Sequence, residues 1–194
     1  SNPMSVEHSA MRTSMLPGML AALAKNTANQ QKSCALFEVG EVFFPNKIEG
    51  GVTCLDERRR LCILLWGEPA KSWYGQARAY DVFDLKGCLA AALHAIDLDA
   101  AFVQDAPRVP WLHDGIQAAI VVDGQTLGHL GELHPVVAAN YKIDAPAFIA
   151  EIEIDPLLSA APGLLRMQPL PRFHFSTRDQ SFVVPVSVTY KAIA

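Results

Sequence analysis

The sequence predicts an α+β fold, a mostly antiparallel sheet packed against helices. Three observations carry that prediction. Strand-like and helix-like stretches are mixed along the chain, with no repeating βαβ unit. Asp123-Gly124 separates two apolar segments, a two-residue hairpin signal that implies an antiparallel pair. Residues 147–154 set Phe148, Ile152 and Ile154 against Glu151 and Glu153, the alternation of a half-buried strand.

In chain order, residues 11–44 organise the rest. Leu16, Met19, Leu20 and Leu23 fall at i, i+3, i+4 and i+7, one apolar stripe on a helix. Ser14 is placed to cap that helix, and Pro17 lies in its first turn, where a missing N–H costs little. Gly18 costs roughly 1 kcal/mol against alanine inside a helix, a cost suited to a close backbone approach. A polar connection over 25–33 leads into 34–44, long enough for one strand or a strand pair. Residues 60–66 are an apolar run of strand length, suited to cover on both faces and ended by Gly67-Glu68-Pro69. Residues 71–79, with Trp73 and Tyr74, read as a loop or short helix.

Asp84 is a good N-cap for the stripe Leu85, Cys88, Leu89, Ala92, Leu93 and Ile96, with Phe83 and Cys88 placed to staple it. Residues 101–104 suit a short strand, 116–122 and 125–131 form the hairpin, and Pro135 starts a short helix through Tyr141. Residues 155–166 should close the core and 167–171 read as a linker. Beyond them only 180–186 has strand character, too little to close a core of its own. The expected division is 1–165 and 166–194, with 172–194 packed on the main domain or poorly ordered.

Composition excludes several classes. A net charge of −4 lacks the basic footprint of a nucleic-acid binder, and the run Arg58-Arg59-Arg60 reads first as a solvated strand entrance. Cysteines 34, 54, 62 and 88 form no C-x-x-C pair or zinc spacing. Cys34, Cys62 and Cys88 read as small buried hydrophobes, reduced in a cytoplasmic compartment. No run of 18 apolar residues occurs. His129 and His134, five apart around Gly131, suit no metal motif, and His134 is expected to bond local backbone at a helix start. Gly124, Gly128 and Gly131 make no nucleotide fingerprint and are accounted for by the hairpin. Glu151 and Glu153 share a strand face, as a carboxylate pair or, more plainly, a solvated face.

Five stretches in order resemble one family: Met11-Arg12-Thr13-Ser14-Met15-Leu16-Pro17-Gly18-Met19-Leu20, then Leu36-Phe37-Glu38-Val39-Gly40-Glu41-Val42-Phe43-Phe44, then Tyr80-Asp81-Val82-Phe83-Asp84-Leu85-Lys86-Gly87, then Leu127-Gly128-His129-Leu130-Gly131-Glu132-Leu133-His134-Pro135, then Glu151-Ile152-Glu153-Ile154-Asp155. The chain resembles the synthetase-core-like region of the bacterial phenylalanine–tRNA ligase β subunit. Pro171-Arg172-Phe173 followed by Arg178-Asp179 resembles the start of that subunit's ferredoxin-like anticodon-binding domain. The resemblance implies a class II aminoacyl-tRNA synthetase core and places Ser1 or Asn2 inside a longer chain.

It also implies lost chemistry. Active cores of that class hold ATP through one arginine in motif 2 and another in motif 3, the latter led by glycines. The resemblance puts Phe44 at the first arginine, Glu151 and Glu153 where glycine is expected, and Pro156 at the second arginine. The implied role is a non-catalytic scaffold for the catalytic α subunit in an α2β2 ligase. Met11, Met15, Leu16, Met19 and Leu20 are the implied interface, unless the methionines fill the domain's own core. No cofactor is expected on this chain; ATP and magnesium serve the parent complex. Contact with tRNA would run through parts of the β subunit mostly absent here. The alternatives are a stand-alone adenylate-forming enzyme and a tRNA-binding module.

Overall fold

The computed structural model describes residues 10–47, 53–69, 73, 78–159, 172–188 and 192–193. The elements in order are α1 (Leu16–Ala28), β1 (Ser33–Lys47), β2 (Thr53–Gly67), α2 (Val82–His94), β3 (Ala101–Val103), β4 (Leu112–Val122), β5 (Gln125–Leu133), α3 (Pro135–Asn140), β6 (Ala147–Glu153) and α4 (Asp155–Ser159). The strands form one sheet in the order β1-β2-β6-β5-β4-β3, and every pair is antiparallel. The last strand in sequence among the described residues thus joins the β1–β2 pair to the β3–β4–β5 meander.

Two apolar clusters cover the two faces. On one face Met15, Met19, Leu20 and Leu23 pack on Cys34, Val42, Cys62, Leu64 and Ile149, with Val137, Ala138 and Tyr141 from the α3 region alongside. On the other, Leu85, Leu89 and Leu93 of α2 and Leu157 of α4 pack on Leu65, Leu130, Phe148 and Ile152. β6 is therefore buried on both sides from Ala147 through Ile152, not half-buried as its alternation suggests. Its central place between β2 and β5 under two helical layers overrides the pattern of side-chain types.

The helix ends follow local chemistry. Met15 is the N-cap of α1 and makes no side-chain cap bond; Ser14 acts from one residue earlier, its Oγ accepting the Leu16 N–H at 3.1 Å. A Cβ at Gly18 would meet nothing within 4 Å, so the close approach expected there is not made. α2 starts three residues earlier than expected. Asp81 is the N-cap, accepting from the N–H groups of Phe83 and Asp84, while the Asp84 carboxylate accepts the Asp81 N–H. Phe83 and Cys88 are both exposed, so neither the expected staple nor the buried Cys88 holds. The positions that fit a staple across the true cap are Tyr80 and Leu85, which share the second cluster. His134 caps α3, its Nδ1 accepting the Val136 N–H at 3.2 Å, as its place before Pro135 suggests.

The strands are longer than their apolar runs. Residues 33–47 form one strand, and β2 begins at Thr53, so Arg58-Arg59-Arg60 lies inside it. The Asp123-Gly124 turn has φ of 49° and 79°, the left-handed pair of a tight β4–β5 hairpin. Gly128 and Gly131 serve another purpose than the turn. A Cβ at Gly128 would strike the Glu151 carbonyl of β6, and one at Gly131 the Ile116 carbonyl of β4.

The chain divides into two units, Ser1–Gly163 and Leu164–Ala194. In the second, residues 174–185 carry no helix or strand, so the strand expected at 180–186 is absent. Pro185 interrupts that run and no described strand of this unit offers a ladder to it. Most of the expected loop at 71–79, the core closure beyond residue 159 and the linker at 167–171 lie outside the described residues.

Candidate functional site

The β2–β6 register sets Arg60 opposite Glu153 and Cys62 opposite Glu151. Side chains alternate across a strand, so Arg58 and Arg60 emerge on the same face as Glu151 and Glu153. On β1, Phe44 reaches the same spot, with the Arg58 and Arg60 guanidiniums 5.1 and 5.4 Å from its ring centre. Arg60 donates to Glu151 Oε2 at 3.0 Å and to Glu153 Oε1 at 3.2 Å. Arg58 donates to Glu153 Oε1 at 3.1 Å and pairs with Asp56 at 2.8 Å. Arg59, on the opposite face, pairs with Asp155, whose carboxyl is held below the usual carboxylate range chiefly by the Arg59 N–H and then by its guanidinium.

Glu151 is the centre of this layer. It is only 6% exposed, and its Oε1 accepts the Met15 N–H at 2.6 Å and the Ser14 hydroxyl at 3.0 Å. One carboxylate therefore ties the start of α1 to the arginine of β2. A negative group at a helix N-terminus is favourable, and charge-assisted bonds are the strong kind. Glu151 and Glu153 do share a face, but Glu151 is neither solvated nor free; the reading of a solvated strand face is corrected.

Above the layer lies a cleft of about 450 Å³ lined by Arg58, Arg60, Trp111, His129, Glu151 and Glu153. Burial pushes His129 below its ordinary value, and a bond to the Pro107 carbonyl opposes this. Behind the layer, burial and then the charges of Glu151 and Glu38 push the Cys62 thiol far up, so it is no nucleophile. The cations of the cleft are engaged by carboxylates of the same chain. The arrangement is a closed ionic layer rather than an open anion cradle.

The structure thus brings together three of the four positions where ATP ligands are missing by resemblance: Phe44, Glu151 and Glu153. Pro156 is set apart in the first turn of α4, half-buried. Arg58 and Arg60 stood out in the sequence only as part of a basic run, Ser14 as a helix cap and His129 as a histidine without a metal motif; none was assigned to this site. The matching i, i+2 spacing of Arg58/Arg60 and Glu151/Glu153 is the signal that could have paired them. The implied interface set is split. Met15, Met19 and Leu20 are buried in the domain's own core, while Leu16 is half-buried and Met11 is 56% exposed.

This sheet, with helices on both faces, has a tRNA-synthetase fold. The pyrrolysyl-tRNA synthetase of Desulfitobacterium hafniense matches it with a TM-score of 0.52 and 14% identity, over 76% of this chain and 48% of that one. The sequence is more specific. The chain belongs to the family described as the phenylalanyl tRNA synthetase beta chain CLM domain, whose sequence model covers residues 1–154. Among its relatives are phenylalanine–tRNA ligase beta subunits. That of Xylella fastidiosa (strain Temecula1) is 35% identical over all of this chain and 24% of its own length. That of Carboxydothermus hydrogenoformans is 31% identical over 94% and 22%, and that of Staphylococcus haemolyticus is 34% identical over 91% and 22%. The chain spans less than a quarter of these relatives.

Proposed function

We propose that this chain is a class II synthetase core that keeps the fold without the nucleotide chemistry, and that it serves a phenylalanine–tRNA ligase β subunit as a scaffold for the catalytic α subunit. The observation that carries the reading is the closed ionic layer. A nucleotide site needs cations facing open space, and here Arg58 and Arg60 face Glu151 and Glu153. A triphosphate entering the cleft would have to displace two carboxylates that are already bonded. In this reading the parent α2β2 complex uses ATP and magnesium to charge tRNA with phenylalanine in the cytoplasm. This chain holds neither cofactor, and tRNA is met elsewhere on the β subunit. The α-facing surface would include Met11 and Leu16, which α1 supports from beneath with Met15, Met19 and Leu20.

The test is co-purification with the α subunit from the same source, with calorimetry of Mg-ATP on the chain alone. The expected result is a stable complex, weakened by Met11→Asp and Leu16→Asp in folded variants, and no saturable heat from ATP. Wild-type yield of complex from both variants would remove the interface assignment. Saturable ATP binding would favour a stand-alone adenylate-forming enzyme. A tRNA affinity that falls steeply with salt would favour a tRNA-binding module.

A further inference from the structure

β1 is an end strand, and its outer edge is only partly covered among the described residues. Arg12 covers the far part: its carbonyl accepts the Phe43 N–H at 2.8 Å and its Nε donates to the Glu41 carbonyl at 2.7 Å. The β1–β2 register runs without a break, so the same parity turns the N–H and C=O of Ala35, Phe37 and Val39 outward too. No described strand meets them. Their side chains share the sheet face that α2 leaves bare at this edge. Phe37 is 76% and Val39 56% exposed, beside an apolar trench of about 400 Å³ continued by Leu61, Ile63, Cys88 and Ala92. Open backbone and open apolar surface coincide on the same three residues. No lysine, proline or bulge guards them, the usual protections of an edge.

We propose that this edge docks a second copy of the chain by antiparallel pairing of β1 with β1 about Phe37. The edge is self-complementary. A two-fold axis at Phe37 sets Phe37 opposite Phe37, Ala35 opposite Val39 and, on the other face, Leu36 opposite Glu38. No like charges meet, and Glu38 is already paired with Arg12 at 2.8 Å within each copy. The three outward residues of each copy would exchange about six backbone hydrogen bonds. A two-fold perpendicular to the sheet keeps both trenches on one side, so they merge between the two α2 helices. The ladder stops at Val39 because Arg12 occupies Glu41 and Phe43. Three backbone-paired residues on each side are few for an interface of the standard size of roughly 800 Å² per partner, so the pairing is reversible and concentration-dependent.

The experiment is sedimentation of the 194-residue chain between about 1 and 100 μM, with Phe37→Lys, Phe37→Cys and Val183→Lys variants. The expected result is a monomer–dimer equilibrium that Phe37→Lys weakens roughly tenfold or more, with an unchanged circular-dichroism melt. Phe37→Cys should give a 37–37 disulfide dimer on mild oxidation, because directly opposed residues of a hydrogen-bonded pair have Cα atoms about 5.5 Å apart, within disulfide reach. A monomer throughout the range would overturn the proposal. So would a dimer untouched by Phe37→Lys, or one abolished by Val183→Lys in the second unit. If added α subunit dissolves the dimer and Phe37→Lys loses α binding, the face belongs to α and the second copy is the wrong occupant. That outcome leaves the scaffold reading intact.

Discussion

Glu151→Gln keeps the shape of the buried side chain and removes its charge. In the native protein one carboxylate serves three donors: the Met15 N–H at 2.6 Å, the Ser14 hydroxyl at 3.0 Å and the Arg60 guanidinium at 3.0 Å. The amide oxygen can keep the first two as neutral bonds, but the amide nitrogen then faces the Arg60 guanidinium, donor against donor. Hydrogen bonds to charged groups contribute about 1.5–3 kcal/mol net and neutral ones about 0.5–1.5, and Arg60 retains Glu153 at 3.2 Å. The loss is therefore about 2–3 kcal/mol, or a Tm lower by about 5–10 °C at this chain length. Glu151→Ala, which also strands the Met15 N–H, should cost about 4 kcal/mol. Urea and thermal unfolding at neutral pH measure both. Glu153→Gln, on a half-exposed partner, should cost less than half as much, and a double-mutant cycle of Glu151→Gln with Arg60→Met should show a coupling of at least about 1 kcal/mol. A Glu151→Gln effect within about 0.5 kcal/mol, the range of an ordinary surface substitution, would refute the layer as described.

Gly128→Ala should destabilise by about 1–3 kcal/mol, since its Cβ meets backbone of β6 that cannot swing aside, whereas Gly87→Ala in α2, where a Cβ meets nothing within 4 Å, should be neutral or stabilising; denaturant midpoints decide. Asp81→Ala should cost about 1 kcal/mol by uncapping α2, read from the same midpoints. The Asp84 carboxyl is held below its ordinary value first by the Arg78 guanidinium, so its contribution is present above the unfolded value and lost as pH falls through the folded one. Acid titration of the Asp84→Asn variant should show a shallower loss of stability than the native chain. His129 is held below its ordinary value by burial, so the unfolded chain takes up a proton first as pH falls. Its contribution is full above about pH 6.5 and declines below it, and urea midpoints at pH 7.5 and 5.5 should differ less in His129→Gln than in the native protein.

What the sequence disclosed was mostly local. The hairpin at Asp123-Gly124 was legible because two adjacent residues carry its left-handed geometry. The α1 stripe and the His134 cap need only neighbours within one or two turns. The start of α2 was misplaced because Asp81 and Asp84 are both good caps, and only their reciprocal bonds decide which stands first. The site was hardest to see. Glu151 finds its partners 91 and 136 positions away, and no periodicity within residues 147–154 encodes them. The same distance explains Met15, Met19 and Leu20. Their stripe announced burial, but not whether a partner subunit or the chain's own sheet would supply the cover.

The central place of β6 also fixes an order of assembly. The β1–β2 pair and the β3–β4–β5 meander each close over short stretches of chain, yet the sheet joins them only through Ala147–Glu153. The β6 ladder with β5 joins residues 16–24 apart, as local as β3–β4, so loop closure makes the ladder with β2, 81–93 apart, the late step. A chain shortened before residue 147 would hold two half-sheets, each with a raw inner edge and unshielded leucines, and nothing to zip them. The seven residues of β6 carry both ladders and the carboxylate that fastens α1. The two halves share a core only once the β2 ladder closes, so partial folding leaves sticky fragments instead of a smaller working domain.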